Sequence, residues 1–306
     1  MGFDLRRISE LIAIHGRVAR VVIAEVKGSS PREVGASMIV WNGGQEGTIG
    51  GGTLEWEASK HALDGDRISR HALGPELGQC CGGAVTLVTE VYDATRISEI
   101  DSNVWVRGRG VQPIAITRIL SEARREGAQV LPQLVDDWFI EPIAKPTRQI
   151  WIWGAGHVGR AMVGMMHPFP ELELTWIDTS RERFPNEVAE DINVLYHADP
   201  AEFVKHAPAT AEHLVLTYSH ALDLELCHRL LGRGFGFAGL IGSKSKWARF
   251  RNRLEQLGHD TAQINQITCP IGQKSLGKHP QAIAVGVTAA LLSSGLTNEL
   301  RKDRVA

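Results

Sequence analysis

Two adjacent cysteines, Cys80 and Cys81, are the most unusual chemical feature of the sequence, and they stand in the run Gly78-Gln-Cys-Cys-Gly-Gly83. Accessible backbone N–H groups beside glycines favour the thiolate form of cysteine, because their dipoles stabilise a negative sulfur. Thiolates are soft ligands suited to transition metals. The sequence has no second Cys/His pair at zinc-finger spacing, which argues against a zinc site. The pattern indicates metal ligation or thiol chemistry, and buried structural cysteines are the competing interpretation.

A glycine-rich run, Gly154-Ala-Gly-His-Val-Gly159, directly follows an apolar stretch and precedes a helical pattern. In this G-x-G-x-x-G spacing, Gly154 permits a tight turn, Gly156 lets backbone approach a pyrophosphate, and Gly159 lets helix and strand pack closely. Asp178 ends the next predicted strand, nineteen positions after Gly159, where a carboxylate can hold a ribose 2′-hydroxyl. The run predicts a nucleotide site, and a Rossmann domain that keeps its glycines only for packing is the alternative.

Three further loops are predicted to follow strands in the second half of the chain: residues 217–220, 241–246 and 268–273. In an open α/β sheet the ligand crevice lies outside the carboxyl ends of the strands, so we expect these loops to converge. Ser243 is a natural N-cap residue, and Lys244 adds positive charge where a helix dipole already favours anions. A second anion site is one interpretation, and ordinary capping is the other. One interpretation of His220 is a functional residue, either a ligand contact or an acid/base group. The other is a loop histidine that only forms structural hydrogen bonds.

A third glycine-rich run, Gly47-Thr-Ile-Gly-Gly-Gly52, leads directly into good helix formers. Gly50, Gly51 and Gly52 offer free N–H groups and little side-chain obstruction, which are the properties of a phosphate cradle. The run is not a P-loop, because the Lys-Ser/Thr pair of that motif is missing. A tight turn with no ligand is the competing interpretation.

The two halves of the chain differ in the elements that must position these residues. Strands and helices mix in the first half, whereas strands alternate with helices from Gln149 onward. Such alternation predicts a parallel sheet with helices on both faces. Pro146 disfavours the continuation of any regular element, so we place the boundary near residue 147. We therefore expect an N-terminal mixed α+β domain over residues 1–147 and a C-terminal Rossmann-like doubly wound parallel sheet over residues 148–306.

Composition narrows the class of protein. The 306 residues are 43% apolar and 22% charged, which is ordinary for a globular protein with buried cores. A formal net charge of −2 argues against nucleic acid or an anionic membrane as the main partner. The sequence contains no stretch near the roughly 20 apolar residues of a membrane span and no secretory signal pattern. We expect a cytoplasmic protein.

Six segments of the sequence occur in the order found in one known family. They are Gly28–Met38, Gly47–Glu55, Leu77–Gly83, Trp153–Gly159, Gly239–Lys246 and Pro270–Gly272. Together they resemble the xanthine dehydrogenase accessory proteins of the XdhC/CoxI type. The Gln-Cys-Cys-Gly-Gly run is the most specific of these segments, and the G-x-G-x-x-G run is the least specific.

The resemblance implies a chaperone for the molybdenum cofactor (molybdopterin) rather than a catalyst. Such a protein protects the pterin cofactor while a cysteine desulfurase-type sulfurase supplies sulfur, and then inserts it into an apo xanthine dehydrogenase-type molybdenum hydroxylase. By this resemblance Cys80 and Cys81 lie near the metal, and the pterin phosphate lies at the Gly47–Gly52 helix start or in the Ser243–Lys246 loop. We also expect a homodimer. The loop at 217–220 departs from the more histidine-rich loop that the family leads us to expect, which leaves the role of His220 open.

Two other classes of function stay open. One is an NAD(P)-dependent oxidoreductase that binds its cofactor at Gly154–Gly159 and Asp178 and uses His220 as a proton donor. The other is a redox sensor in which Cys80 and Cys81 form a strained vicinal disulfide.

Overall fold

The structure is a computed structural model that describes residues 2–74 and 82–302. It divides into two compact units, Met1–Lys145 and Pro146–Ala306, here called the N-terminal unit and the C-terminal unit. Cys80 and Cys81, the predicted metal-proximal pair, lie outside the described residues.

The N-terminal unit contains two antiparallel sheets. Its helices are α1 (Leu5–His15), α2 (Gly52–Lys60), α3 (Ala94–Ser98) and α4 (Ile114–Glu126). Its strands are β1 (Val18–Lys27), β2 (Ser37–Trp41), β3 (Gly44–Gly47), β4 (Arg67–Ala72), β5 (Ala84–Tyr92), β6 (Val104–Arg107), β7 (Gln133–Val135) and β8 (Trp138–Pro142). One sheet has the order β3-β2-β1-β5-β4, and the other has the order β6-β8-β7.

Both faces of the five-stranded sheet are covered by other elements. Side chains alternate between the two faces along each strand, so neighbouring residues pack against different elements. Val21 and Leu87 share a buried cluster with Leu54 of α2. On the opposite face, Val22 and Val88 pack against Phe139 of β8. Helix α2 therefore covers one face of this sheet, and the three-stranded sheet covers the other.

A buried ionic network joins these two sheets. Arg20 of β1 donates to both carboxylate oxygens of Glu141 on β8, at 2.6 and 2.9 Å, and the two side chains are 1% and 0% exposed. Arg107 of β6 also bonds Glu141 and donates to Glu90 of β5 at 2.8 and 2.9 Å. Burial alone would raise the pKa of Glu141, but the charges of Arg20 and Arg107 outweigh it and hold that pKa below its ordinary value.

The C-terminal unit is built on one parallel sheet of six strands. Its helices are α5 (His157–Met166), α6 (His220–Arg233), α7 (Lys244–Gln256), α8 (Thr261–Ile264) and α9 (Pro280–Lys302). Its strands are β9 (Arg148–Trp153), β10 (Leu172–Asp178), β11 (Asn193–Tyr196), β12 (Glu212–Val215), β13 (Phe237–Leu240) and β14 (Ile267–Thr268). The spatial order is β11-β10-β9-β12-β13-β14, so the order reverses between β9 and β12.

Helices cover both faces of this parallel sheet. Trp153 packs with α6 and α7 on one face, whereas Ile152 packs with α5 and α9 on the other. This architecture confirms the predicted fold class, a Rossmann-like doubly wound sheet that follows a mixed α+β unit. Within residues 2–74 and 82–302, no helix has both the length and the apolar character needed to cross a bilayer.

Candidate functional site

The turn between β9 and α5 lies where the strand order reverses, and its shape depends on glycine. Gly154 has a φ of 121°, and a Cβ there would lie 2.6 Å from the carbonyl oxygen of Leu216. A Cβ on Gly159 would lie only 1.9 Å from the carbonyl oxygen of Gly154. A Cβ on Gly156, by contrast, would meet nothing within 4 Å. Gly154 and Gly159 therefore permit close packing, while Gly156 borders open space.

Helix α5 begins at this turn without a capping side chain. Its N-cap residue is Gly156, which makes no side-chain capping bond. Within the described part of the chain, the N–H groups of Gly156, His157 and Val158 donate no hydrogen bond. Unpaired N–H groups and the positive end of the helix dipole favour an anion such as a phosphate.

Asp178 closes the same turn from the end of β10. Its carboxylate accepts hydrogen bonds from the N–H groups of Ala155 and Thr179, both at 2.6 Å, and from the Thr179 hydroxyl at 3.1 Å. Arg183 lies 3.5 Å from the same carboxylate. Because Asp178 is only 3% exposed and both its oxygens are engaged, a ribose hydroxyl would have to displace these bonds.

A stacked pair joins the loops that follow β10 and β12. The guanidinium carbon of Arg183 lies 4.5 Å from the centre of the Tyr218 ring. Tyr218 is 66% exposed, so one face of its ring stays available for contacts. Neither residue was among the predicted site residues, although an exposed aromatic residue directly after a strand is a signal that points to a binding loop.

A buried ion pair ties together the other loops at this edge. Lys246 donates to Asp223 at 2.6 Å and to the Ile241 carbonyl at 3.0 Å. Asp223 is fully buried and also accepts from the N–H group and hydroxyl of Thr217, at 3.1 and 2.7 Å. The N–H group of Ile271 donates to Leu240 at 3.3 Å, which brings the third loop alongside. The three loops thus converge as expected for the carboxyl edge of a parallel sheet.

The predicted residues of these loops lie at helix starts. His220 is the first residue of α6, and its exposed ring lies edge-on to Phe250 with centroids 6.5 Å apart. The hydroxyl of Ser243 accepts the N–H group of Lys246 at 3.1 Å and so caps α7. Lys244 is the first residue of α7 and is exposed. The side chain of Ser243 therefore caps α7, whereas the side chains of His220 and Lys244 are exposed to solvent.

The remaining cysteines of the C-terminal unit are poorly reactive thiols. Burial raises the pKa of Cys269 to about 11, and burial together with nearby Asp223 raises that of fully buried Cys227 still further. Both thiols are therefore protonated at neutral pH. Among the residues that the structure describes, no group of three or more His, Cys, Asp or Glu side chains is arranged to hold a metal ion.

In the N-terminal unit, the run from Ile49 to Gly51 forms a nest of backbone N–H groups. Those of Ile49, Gly50 and Gly51 donate to Oε1 of Glu55 at 2.8, 3.2 and 2.7 Å, and the Thr48 hydroxyl bonds the same oxygen. Gly50, Gly51 and Gly52 all have positive φ, at 119°, 73° and 66°. The glycine nest therefore has the geometry of an anion site, and it holds the chain's own carboxylate.

The hydrogen bonds of the glycine nest also set the ionisation of Glu55. Burial alone would raise its pKa, but bonds from Thr48 and from the N–H groups of the nest outweigh that effect and hold the pKa below its ordinary value. Glu55 was not among the predicted site residues. An acidic residue in the first turn of a helix commonly interacts with the free N–H groups there, so the sequence did contain a signal for this contact.

The loop at residues 28–32 lies between the glycine nest and the end of the Cys-Cys-Gly-Gly run. The N–H group of Gly83 donates to Ser29 at 3.1 Å, and a Cβ on Gly83 would lie 2.3 Å from the Ser29 carbonyl oxygen. A Cβ on Gly50 would lie 2.4 Å from Pro31. The hydroxyl of Ser30 is buried and has no hydrogen-bond partner within the described residues. The loop at residues 28–32 therefore contacts both the glycine nest and Gly83.

Comparisons with known proteins match both units to a single family. The XdhC and CoxI family matches residues 11–67, and the XdhC Rossmann domain matches residues 150–291. The chain belongs to the XdhC family.

Individual relatives of this XdhC-family chain are distant. The chain is 22% identical over 285 residues to a protein of Escherichia coli (strain K12) named "Uncharacterized protein YqeB". The match covers 90% of this chain and 43% of that protein, so the chain spans less than half the length of this relative. A crystal structure of a xanthine dehydrogenase from Bacillus halodurans superimposes with a TM-score of 0.68 at 18% identity, over 95% of each chain. That likeness shows a shared fold.

Proposed function

We propose that this XdhC-family protein is a molybdenum cofactor-binding chaperone, which protects the cofactor during sulfuration and inserts it into a xanthine dehydrogenase-type hydroxylase. One observation carries the proposal: the two family matches flank the run Gln79-Cys-Cys-Gly-Gly83, which supplies paired soft ligands. The same thiols would stay reduced in the cytoplasm, where we propose that the protein acts.

The residues of the N-terminal unit fit a ligand that carries molybdenum and a phosphate. The cofactor brings a metal held by a pterin dithiolate, and a thiolate from Cys80 or Cys81 is a chemically matched additional donor. The glycine nest bonds a carboxylate and so has the donors for a phosphate oxygen, provided that Glu55 moves away. The buried hydroxyl of Ser30, which has no hydrogen-bond partner among the described residues, adds one more polar group in the adjoining loop.

Cofactor retention is the direct test of this proposal. Wild type, a Cys80→Ala/Cys81→Ala double variant and a Cys269→Ala control are purified anaerobically, incubated with molybdenum cofactor and desalted, and molybdenum and pterin are quantified per protein. We expect retention by wild type and by the Cys269→Ala control, whose lost thiol is protonated and lies in the C-terminal unit. The double variant is expected to lose the cofactor. Failure of wild type to retain either component would refute the proposal.

The partners that we propose follow from the same function. They are an apo xanthine dehydrogenase-type hydroxylase, which receives the cofactor, and a cysteine desulfurase-type sulfurase, which supplies sulfur. We further propose a homodimer. Loaded protein mixed with apo-hydroxylase should restore its activity only after sulfurase treatment, and sedimentation equilibrium should give twice the chain mass. If free cofactor activates the apo-hydroxylase as fast and as fully as the loaded protein does, the proposed insertion role is refuted.

An NAD(P)-dependent oxidoreductase is a second candidate, favoured by the uncapped N-terminus of α5 at the point where the strand order reverses. The engaged carboxylate of Asp178 argues against it, because the ribose contact would cost existing hydrogen bonds. Titration with NADH, followed by fluorescence or calorimetry, separates the candidates. Binding in the range typical of substrates would support the oxidoreductase, and no binding would eliminate it.

A further inference from the structure

Strand β4 lies at one edge of the five-stranded sheet, and among the described strands β5 is its single neighbour. An edge strand keeps a row of backbone N–H and C=O groups without a partner, so natural proteins usually shorten, bulge or cover such an edge. The register of β4 with β5 is continuous from Arg67 to Ala72, without a bulge. These six residues extend for about 20 Å, which is long enough to pair with another strand.

The ladder between β4 and β5 shows which backbone groups point outward. In an antiparallel pair, residues that exchange hydrogen bonds alternate with residues whose N–H and C=O groups point away from the partner. The N–H group of Leu73 donates to the carbonyl of Gly83 at 2.9 Å, and this pair continues the register of the two strands. Ser69 is therefore a bonded position, whereas Ile68 and Arg70 direct their backbone groups outward.

The hydrogen bonds at the start of β4 agree with this assignment. Asp66 lies two residues before Ile68, and its carbonyl accepts a hydrogen bond from the guanidinium of Arg109 at 3.2 Å rather than from β5. Within residues 2–74 and 82–302, the outward backbone groups of Ile68 and Arg70 have no hydrogen-bond partner. These groups form the template that an added strand uses in β-augmentation.

The side chains at the two outward positions differ in character. They share one face of the strand, because side chains alternate between faces. Ile68 is 40% exposed, and Arg70 is also exposed. Within the described chain Arg70 makes no hydrogen bond or ion pair, and its electrostatic partner there is Glu25, which itself pairs with Lys27 at 3.3 Å. The edge therefore presents one apolar and one cationic side chain, two residues apart.

A cavity of about 690 Å³ opens beside this edge, with Ile68 and Arg70 in its lining. Asp136 and Asp137 also line it, from the turn between β7 and β8. The ring N–H group of the next residue donates to the carbonyl of Arg109 at 3.2 Å, which places this turn near the start of β4 and Arg70 further along. The other acidic residues of the lining pair with arginines (Asp66 with Arg96, Glu90 with Arg107). An acidic side chain is therefore the complement of the strand near Arg70.

We propose that the outer edge of β4 is a docking strand for an extended acidic segment of a partner protein. The segment adds to the sheet as an antiparallel strand, and its backbone bonds the outward groups of Ile68 and Arg70. An acidic side chain lies opposite Arg70, and an apolar side chain two residues away lies opposite Ile68. The charge of Arg70 leaves the backbone groups free and selects a segment of opposite charge. This surface binds a protein, so it goes beyond the proposed carriage of a cofactor.

Peptide titration on the full, cofactor-free chain tests the charge and backbone requirements. The probe is the acetylated and amidated peptide Thr-Val-Thr-Glu-Thr-Val-Thr, in which a valine lies two residues to each side of the glutamate. We expect saturable binding by calorimetry, and binding at least about threefold weaker when lysine replaces the glutamate. The same peptide N-methylated at the glutamate is expected not to bind, because it lacks the donor to the carbonyl of Arg70.

Variants of the chain test the two outward positions. Arg70→Glu should reverse the preference, so that the lysine peptide binds more tightly than the glutamate peptide. Ile68→Pro should abolish binding, because proline here removes an outward N–H group and no ladder bond. Arg124→Gln on exposed α4 is the control and should bind like wild type. Thermal unfolding checks the fold of each variant, and the charge reversal decides the test if the proline variant does not fold.

Hydrogen exchange locates the bound strand. In the free chain the amide of Ser69 should exchange slowly, and those of Ile68 and Arg70 fast; the peptide should slow the latter two at least about tenfold. Equal binding of the glutamate, lysine and N-methylated peptides, or no added protection, would overturn the proposal. Conversion of a dimer to a monomer by Ile68→Pro in sedimentation equilibrium would also overturn it, because a second copy would then occupy the edge. Each measurement is made without cofactor, so its failure is distinct from a failure of cofactor retention.

Discussion

Replacing Glu55 with glutamine keeps the length of the side chain and removes the charge that the glycine nest binds. One carboxylate oxygen accepts three N–H groups, at 2.7, 2.8 and 3.2 Å, and one hydroxyl. Hydrogen bonds to a charged partner contribute roughly 1.5–3 kcal/mol, against roughly 0.5–1.5 kcal/mol for neutral ones. Because the side chain is partly open to solvent, we discount this difference and expect a loss of about 1–2 kcal/mol in the local free energy of opening.

Hydrogen exchange of the nest amides measures this loss where it occurs. A loss of about 1.4 kcal/mol corresponds to exchange about tenfold faster, so the amides of Ile49, Gly50 and Gly51 should lose protection in Glu55→Gln. Glu57→Gln is the matched control, because Glu57 lies on the same helix and is exposed. Equal protection in wild type, Glu55→Gln and Glu57→Gln would refute the reasoning.

The pH dependence of the same amides provides a second check with a defined sign. The pKa of Glu55 is lower in the folded state than in the unfolded chain, so its contribution is complete above the unfolded value and is lost as pH falls through the folded one. Wild type and Glu55→Gln should therefore differ at about pH 7 and converge well below about pH 4. A difference that persists undiminished in acid would contradict the assignment of the effect to charge.

Three other predictions concern burial and packing. Glu141→Gln should lower the free energy of unfolding of the N-terminal unit by about 3–5 kcal/mol, because it leaves buried arginine charge uncompensated. Denaturant titration measures this loss against a Glu10→Gln control, which removes a carboxylate from a surface ion pair, and equal unfolding midpoints for the two variants would count against the network. Gly159→Ala should destabilise the C-terminal unit by about 1–3 kcal/mol, because its Cβ would overlap the carbonyl oxygen of Gly154, whereas Gly156→Ala has open space. Thermal unfolding compares the two variants, and equal melting temperatures would contradict this prediction. Alkylation of Cys269 should be slow at about pH 8 and rise about tenfold per pH unit toward its pKa of about 11, and a rate that levels off near pH 8 would contradict the raised pKa.

The parallel sheet of the C-terminal unit was predictable because its central strands are buried on both faces and therefore appear as apolar runs. β9 and β10 end directly at Gly154 and Asp178, which are recognisable in sequence. Strand β4 was not predicted, because it is an edge strand in which four of the six residues are polar, so no apolar alternation marks it. The short strands β6 and β7 lack the length that a periodic pattern needs.

The motifs of the candidate site were predictable from the sequence, but most of the side chains that form hydrogen bonds with them were not. The sequence identifies N–H-rich glycine turns, but it does not specify which anion fills them. Glu55 in the glycine nest and Ala155 on Asp178 depend on the fold of the turn, since each bond closes only after the backbone has folded back on itself. The pairing of Lys246 with Asp223 likewise joins two helices that only the parallel sheet brings side by side. The metal-proximal roles of Cys80 and Cys81 stay predictions.

The ion pair between Arg20 and Glu141 has a consequence for how the chain matures during translation. The two residues are 121 positions apart, and a ribosome adds roughly 5–20 residues per second. Arg20 is therefore synthesised about 6 to 24 s before its partner, and its strand also waits for β5 to supply its neighbour in the sheet. During that interval the nascent segment carries an unpaired edge and an uncompensated charge. The N-terminal unit should consequently resist proteolysis only after residue 141 has left the exit tunnel.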